Sequence, residues 1–314
     1  MNAGLTVSPP LSAPPGVLVP SHALSTATNS PPGPDYDRPM PSAAPPPGLD
    51  ARVTALRTIA ERAGRLTLTY FQHPELVVEH KDDQSPVTVA DRACETLIRK
   101  AIAADFPQDG LLGEEHGAAP GTSGYTWVID PIDGTVSFAH GVPLYGVLLA
   151  LEHGTGEDRR VVAGVCELPA LGERVWAAAG RGAWWERNGE PVVRARVSRA
   201  DRLSNALIAT TGYEYFRRAG TIAALDALSA QSGRIRGWTD CYCMALVATG
   251  RCDGAVEPWM NPWDSGPFPI IMEEAGGVFS AWDGTPGIHC RTAVAANPAL
   301  HAELVALLRG TGHP

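Results

Sequence analysis

The sequence predicts a layered α/β or α+β protein, on three observations. Short apolar runs of strand composition alternate with stretches whose apolar residues recur at 3-and-4 spacing. The alternation lacks strict βαβ repetition, which favours mixed layers of sheet and helix. At 314 residues and 44% hydrophobic, the chain has ample material for a sizeable core.

Residues 1 to about 48 stand apart. Thirteen of the 28 prolines fall there, among Ser, Ala and Gly, with one aromatic residue and almost no charge. Such a segment buries too little apolar surface to offset its ordering entropy, so the sequence predicts a disordered tail over 1–48 and a folded region over 49–314. The folded region divides into an N-terminal half to about 195 and a C-terminal half from about 196.

The first element is a helix from Asp50, with Val53, Leu56, Ala60, Ala63 and Leu66 in period. A second helix covers about Asp91 to Ala104, with Ala93, Leu97, Ile98 and Ile102 on one face. Strands are predicted at Thr126–Ile129, Gly146–Leu151, Val161–Leu168, Arg174–Ala179 and Ala183–Trp185, the last two joined as a hairpin through Gly180-Arg181-Gly182. Beyond Val197 the expected order is strand 206–210, helix 219–231, strand 235–238 and helix 241–249. Strand 254–257, a helix ending at Glu274 and strand 277–281 follow.

A net charge of −9 argues against a nucleic-acid partner, whose backbone calls for clustered Lys and Arg. No run approaches the roughly 18 apolar residues of a membrane helix. The N-terminus lacks the basic region of a secretory segment. Six scattered cysteines without C-x-x-C spacing fit reduced thiols, and hence a cytoplasmic protein. Cys241 and Cys243 are expected to act as small buried hydrophobes.

Chemistry concentrates in Asp130-Pro131-Ile132-Asp133-Gly134-Thr135. The apolar run Trp127-Val128-Ile129 stops at Asp130, which places two carboxylates at the mouth of a strand, where ligands of α/β sheets usually sit. Pro131 fixes φ and turns the chain, so that Asp130, Asp133 and the Ile132 carbonyl can converge. Hard cations such as Mg²⁺ take that mixture of oxygens. Gly134 and Thr135 then offer backbone N–H groups and a hydroxyl suited to a phosphate. The hexapeptide also fits an Asx-type turn. Glu114-Glu115 again end an apolar run and equally fit a solvated turn. Asp91 and Asp264 each sit where a helix N-cap is expected.

Taken together, Gly113-Glu114-Glu115, the stretch Trp127 to Thr135, and Trp263-Asp264 followed by Glu274-Ala275-Gly276-Gly277 resemble the ordered signatures of the inositol monophosphatase superfamily. The likeness runs from about residue 50 to 310. It implies a five-layered αβαβα sandwich and cleavage of phosphate monoesters with two or three Mg²⁺ ions. By motif position it implies metal ligation by Glu114, Asp130, the Ile132 carbonyl, Asp133 and Asp264, with Asp91 near a further, weaker site. It implies phosphate contact at Asp133, Gly134 and Thr135, and a water activated by Glu114 with Thr135 and Asp91. Lys81 matches a basic residue on a loop before Asp91. The resemblance also suggests a homodimer acting on a small phosphate ester.

Within that superfamily, the runs Lys81 to Arg92, Gly113 to Gly117, Ser137-Phe138, Thr210-Thr211 and Asp240-Cys241-Tyr242 look most like the histidinol-phosphatase branch. Asp240 replaces a position that is typically small in inositol monophosphatases. With Glu257 and Thr211 it is implied to contact substrate, and a carboxylate there favours a cationic leaving group. A plain N-cap of the following helix is the alternative for Asp240. The competing functions are an inositol-1-monophosphatase or broad sugar or nucleotide phosphatase, and a non-catalytic regulatory binder. His116 and His140 read as surface residues. Pro267 and Pro269 predict a local distortion after Asp264 that spares the ligand.

Overall fold

The computed structural model describes residues 45–80 and 86–311. Most of the expected tail and Lys81 lie outside these residues. Helix α1 (Leu49–Leu68) buries Val53, Leu56, Ala60 and Ala63, as their spacing requires. Contact with the folded region begins slightly earlier, because the Pro47 carbonyl accepts from the Tyr125 hydroxyl at 3.1 Å. A short antiparallel pair, β1 (Val78–His80) and β2 (Pro86–Thr88), leads into α2 (Val89–Asp105). On α2 the buried face is Ala90, Cys94, Ile98 and Ile102, a slight rotation from the expected one, and it carries Asp91 and Glu95 inward as well.

The N-terminal half then builds one sheet from β3 (Gly110–Gly113), β4 (Gly117–Ala119), β5 (Tyr125–Asp133), β6 (Gly146–His153), β7 (Arg160–Leu168), β8 (Glu173–Ala178), β9 (Ala183–Arg187) and β10 (Val193–Arg194). Their spatial order is β10-β9-β8-β7-β6-β5-β3-β4. All neighbours are antiparallel except β3 and β5, which run parallel with their last pair at Gly113 and Ile129. Between β5 and β6 lies the short helix α3 (Thr135–Ala139).

The C-terminal half contains β11 (Leu207–Thr210), α4 (Tyr213–Ala219), α5 (Ile222–Gln231), β12 (Arg234–Arg236), α6 (Asp240–Ala248), β13 (Gly254–Glu257), α7 (Pro262–Ser265), α8 (Phe268–Glu274), β14 (Val278–Ser280), β15 (Ala293–Ala296) and α9 (Pro298–Arg309). Its five strands order as β12-β11-β13-β15-β14. The helix expected over 219–231 is α5, which begins at Ile222. Helix α4, which Gly220 caps at φ 73°, has no counterpart among the expected elements. The helix expected to end at Glu274 is two, α7 and α8. Pro267 caps α8 and Pro269 occupies its first turn, where a missing N–H breaks no helical bond.

Side-chain alternation explains the layering. Val147, Leu149 and Leu151 of β6 pack with α1 and α2, whereas Leu148 packs with α6 and α8. Helix α6 is apolar around most of its circumference, and residues 243–248 are all buried, as befits a helix held between two sheets. Ala209, Ala255 and Ala295 face that middle layer, while Ile208, Val256 and Val294 face α4, α5 and α9. The order is therefore helix, sheet, helix, sheet, helix.

Candidate metal centre and substrate site

Strand β5 continues past Asp130 to Asp133, further than its apolar run suggests, and accommodates Pro131 as an irregularity in pairing with β6. The proline offers no N–H. The Ile132 N–H turns from the ladder and donates to Asp130 Oδ1 at 3.1 Å, so the Asx-type turn is real and forms part of the site. The Ile132 side chain is fully buried with Ala90, Phe138 and Tyr145. Cys94 Sγ donates to the Pro131 carbonyl at 3.3 Å, which ties α2 to the same turn. These contacts hold Asp130 inward, with 1% exposure.

Asp130, Asp133 and Asp264 present carboxylate oxygens within 4.8 Å of one another. Burial raises Asp130 well above the ordinary carboxylate range, and the charges of Glu114, Asp133 and Asp264 push it further. Asp133 is raised by burial and by Asp240 and Asp264, against hydrogen bonding from Cys241. Asp264 reaches about 6, first through burial, offset by hydrogen bonds from Asn261. Among the described residues no Lys or Arg pairs with this triad. Acids that raise one another's pKa form a site short of positive charge, and their oxygens suit a hard divalent cation.

Glu114 follows β3, and its N–H donates to the Ile129 carbonyl at 3.2 Å, which places it beside Asp130. Asp91 and Asp264 share one device. Neither is an N-cap. Each is the third residue of its helix, in a reciprocal box with Thr88 or Asn261 as the cap. Thr88 donates to Asp91 Oδ2 from its N–H at 2.8 Å and its hydroxyl at 2.6 Å. Asn261 donates to Asp264 Oδ2 from its N–H at 2.8 Å and its side chain at 3.2 Å. The caps leave a signal in the sequence as T-x-x-D at 88–91 and N-x-x-D at 261–264.

Thr135 Oγ1 lies 3.0 Å from the Ile132 carbonyl and 3.4 Å from Asp91 Oδ1, so it links Asp91 to the turn. Gly134 precedes it at φ 85°, a left-handed conformation that favours glycine. As the first turn of α3 supplies no internal acceptor for the early N–H groups, those of Gly134 and Thr135 can meet an anion.

Asp240 comes from the other half of the chain. The Cys241 N–H donates to Asp133 Oδ2, bringing α6 onto the β5 turn. Asp240 is non-glycine yet has φ 56°, a conformation that costs roughly 1–2 kcal/mol. It is the first residue of α6, with Thr239 as cap, so the plain N-cap alternative fails. Burial raises its carboxyl to about 6, against a hydrogen bond from Thr239. Glu257 is buried at the end of β13 and raised by burial and by Asp240, with Cys243 Sγ 3.5 Å away. Thr211 Oγ1 is 3.1 Å from Thr239 Oγ1. Asp240, Glu257 and Thr211 thus gather around the start of α6. Tyr215, raised to about 12 by burial and by Asp240, joins them without having been anticipated. His116 and His140 are exposed, as expected.

Over residues 49–313 the chain matches the inositol monophosphatase family. It is 44% identical over 251 residues to the histidinol-phosphatase of Chlorobaculum parvum, across 80% of this chain and 93% of that protein. The histidinol-phosphatase of Mycobacterium tuberculosis is 38% identical, across 80% and 95%. The solved structure of extragenic suppressor protein suhB from Bartonella henselae superposes with a TM-score of 0.73 at 30% identity, covering 82% of this chain and 98% of that one. The chain belongs to the inositol monophosphatase family and is a phosphomonoesterase of that family.

Proposed function

We propose that the chain hydrolyses L-histidinol phosphate to L-histidinol and phosphate, with Mg²⁺ held by Glu114, Asp130, the Ile132 carbonyl, Asp133 and Asp264, and a weaker ion near Asp91. Bound Mg²⁺ supplies neutralisation of the phosphate oxygens and a more acidic water. The chain's own groups do the rest. Gly134 and Thr135 donate backbone N–H groups to the phosphate, beside the metal-binding Asp133. Glu114 accepts the proton of the attacking water, and Thr135, held by Asp91, orients it.

The observation that carries the choice of substrate is Asp240. A strained, acidic residue beside the phosphate turn suits a leaving group with an ammonium and an imidazole better than one with hydroxyls alone. Glu257 adds to that field, and the two histidinol-phosphatases reported above support the reading. A homodimer and a cytoplasmic setting belong to the same proposal, the latter supported by six free thiols.

Phosphate release from L-histidinol phosphate, measured with Mg²⁺ and with EDTA, tests it. Mg²⁺-dependent release is expected. Release that persists in EDTA, or none on this ester, would overturn it.

A further inference from the structure

Glu95 is a fully buried carboxylate one helical turn beyond Asp91 on the same face of α2. It accepts from the Glu115 N–H at 2.7 Å, the His116 N–H at 3.3 Å and Arg99 Nε at 2.6 Å. Arg99 in turn donates to the Gly117 carbonyl. The turn that begins with Glu114 and joins β3 to β4 is therefore gripped by one side chain. A Cβ on Gly113 would lie 2.0 Å from Glu95 Oε1, so the glycine leaves the space that the carboxylate fills.

On its other side Glu114 is fixed by its N–H to the Ile129 carbonyl, next to Asp130. Burying a carboxylate is costly even when paired, and an apolar residue could fill the same volume. A charged group at this point does something that packing does not. It sets the direction of two successive N–H groups, and with them the start of the turn that presents Glu114.

We infer that Glu95 is a positioning residue, which holds Glu114 at the cation site through the Glu115 and His116 N–H groups. The inference rests on the proposed role of Glu114. Helix α2 then serves the centre twice, through Asp91 on Thr135 and through Glu95 on the Glu114 turn.

The test is Mg²⁺ binding by calorimetry to the full chain and to Glu95→Gln, alongside kcat and KM on L-histidinol phosphate. Residues that orient metal ligands cost about 10–100-fold in metal affinity or activity when changed. Glu95→Gln is expected to weaken Mg²⁺ binding about tenfold and lower kcat by at least that factor, with KM changed less than about threefold. Gly113→Ala, which drives a methyl group into the same carboxylate, should reproduce the effect if Glu95→Gln folds poorly. Asn297→Ala, which removes the cap of α9 on the far sheet, should lower the melting temperature and leave Mg²⁺ affinity unchanged. Glu95→Gln and Gly113→Ala with unchanged Mg²⁺ affinity and kcat would overturn the assignment alone. A parent protein that binds no Mg²⁺ would overturn the reading of the site, and this inference with it.

Discussion

Oδ2 of Asp240 lies 3.1 Å from where a Cβ on Gly134 would sit, with the Leu144 carbonyl 3.0 Å away on the same point. The first residue of α6 in one half of the chain thus closes over the turn that begins α3 in the other. The N–H of Cys241 on Asp133 fastens the two together.

Gly134→Ala should therefore fail on two counts. The new methyl group meets Asp240 and Leu144, and alanine strains at φ 85°. We expect a loss of about 1–3 kcal/mol in stability. A loss of at least tenfold in kcat should accompany it, because the N–H groups proposed to bind the phosphate shift. Thermal melts and steady-state rates check both. An unstrained, fully active variant would contradict the fit of Gly134 against Asp240.

The acid cluster makes stability depend on pH in a definite direction. Asp240 and Asp264 titrate near 6 when folded, against an ordinary 3.8. The folded chain therefore holds more protons than the unfolded one between these values. This contribution is full below about pH 4 and is lost as pH rises through about 6. In EDTA the melting temperature should fall by roughly 2–6 °C from pH 5 to pH 7.5. Mg²⁺ at pH 7.5 should restore it, by binding the deprotonated acids. Scanning fluorimetry at the two pH values reads this, and a melting temperature that rises with pH in EDTA would contradict it.

Asn261→Ala removes one of the two groups donated to Asp264 Oδ2 and the cap of α7. Mg²⁺ affinity should drop by about tenfold while the fold persists, since such partners orient metal ligands. Calorimetric titration measures it, and an unchanged dissociation constant would show that the box around Asp264 is structural only.

Away from the centre, Arg52 donates twice to Asp109, which also accepts from Trp127 Nε1 at 2.8 Å and Ser123 Oγ at 2.6 Å. This pair joins α1 to the residue before β3 and to β5. Arg52→Ala leaves Asp109 without its cation and should cost about 3–5 kcal/mol. Chemical denaturation checks the loss, and a cost under about 1 kcal/mol would contradict the buried role.

Much of this was legible from local pattern. Strand Gly254–Glu257 and the β5 to β9 run follow from apolar composition, and the Asp130–Thr135 turn from Pro131 and Gly134. The paired caps of Asp91 and Asp264 left signals in Thr88 and Asn261. Other features arise only on folding. The Ala293–Ala296 strand is three alanines and Val294 between two sheet neighbours, too few β-branched residues to mark a strand. Helix α4 has only seven residues and buries only Phe216 among them, too little for an apolar period to mark it. Glu95 reads locally as a solvent-facing helix acid with Arg99 four residues on, and only the Glu114 turn, about twenty residues away, reveals its use.

Asp240 was visible as a departure from a small residue, but its left-handed backbone and its place over Gly134 were not. The most direct test of the account is the ratio of kcat/KM for L-histidinol phosphate over myo-inositol 1-phosphate, in the parent and in Asp240→Asn. A charge-assisted hydrogen bond lost from a leaving group is worth about 1.5–3 kcal/mol, or roughly 10–150-fold. A parent ratio well above one is expected, with a fall of that size in Asp240→Asn carried by the histidinol ester alone. Equal rates on both esters in the parent, or an unchanged ratio in the variant, would contradict it.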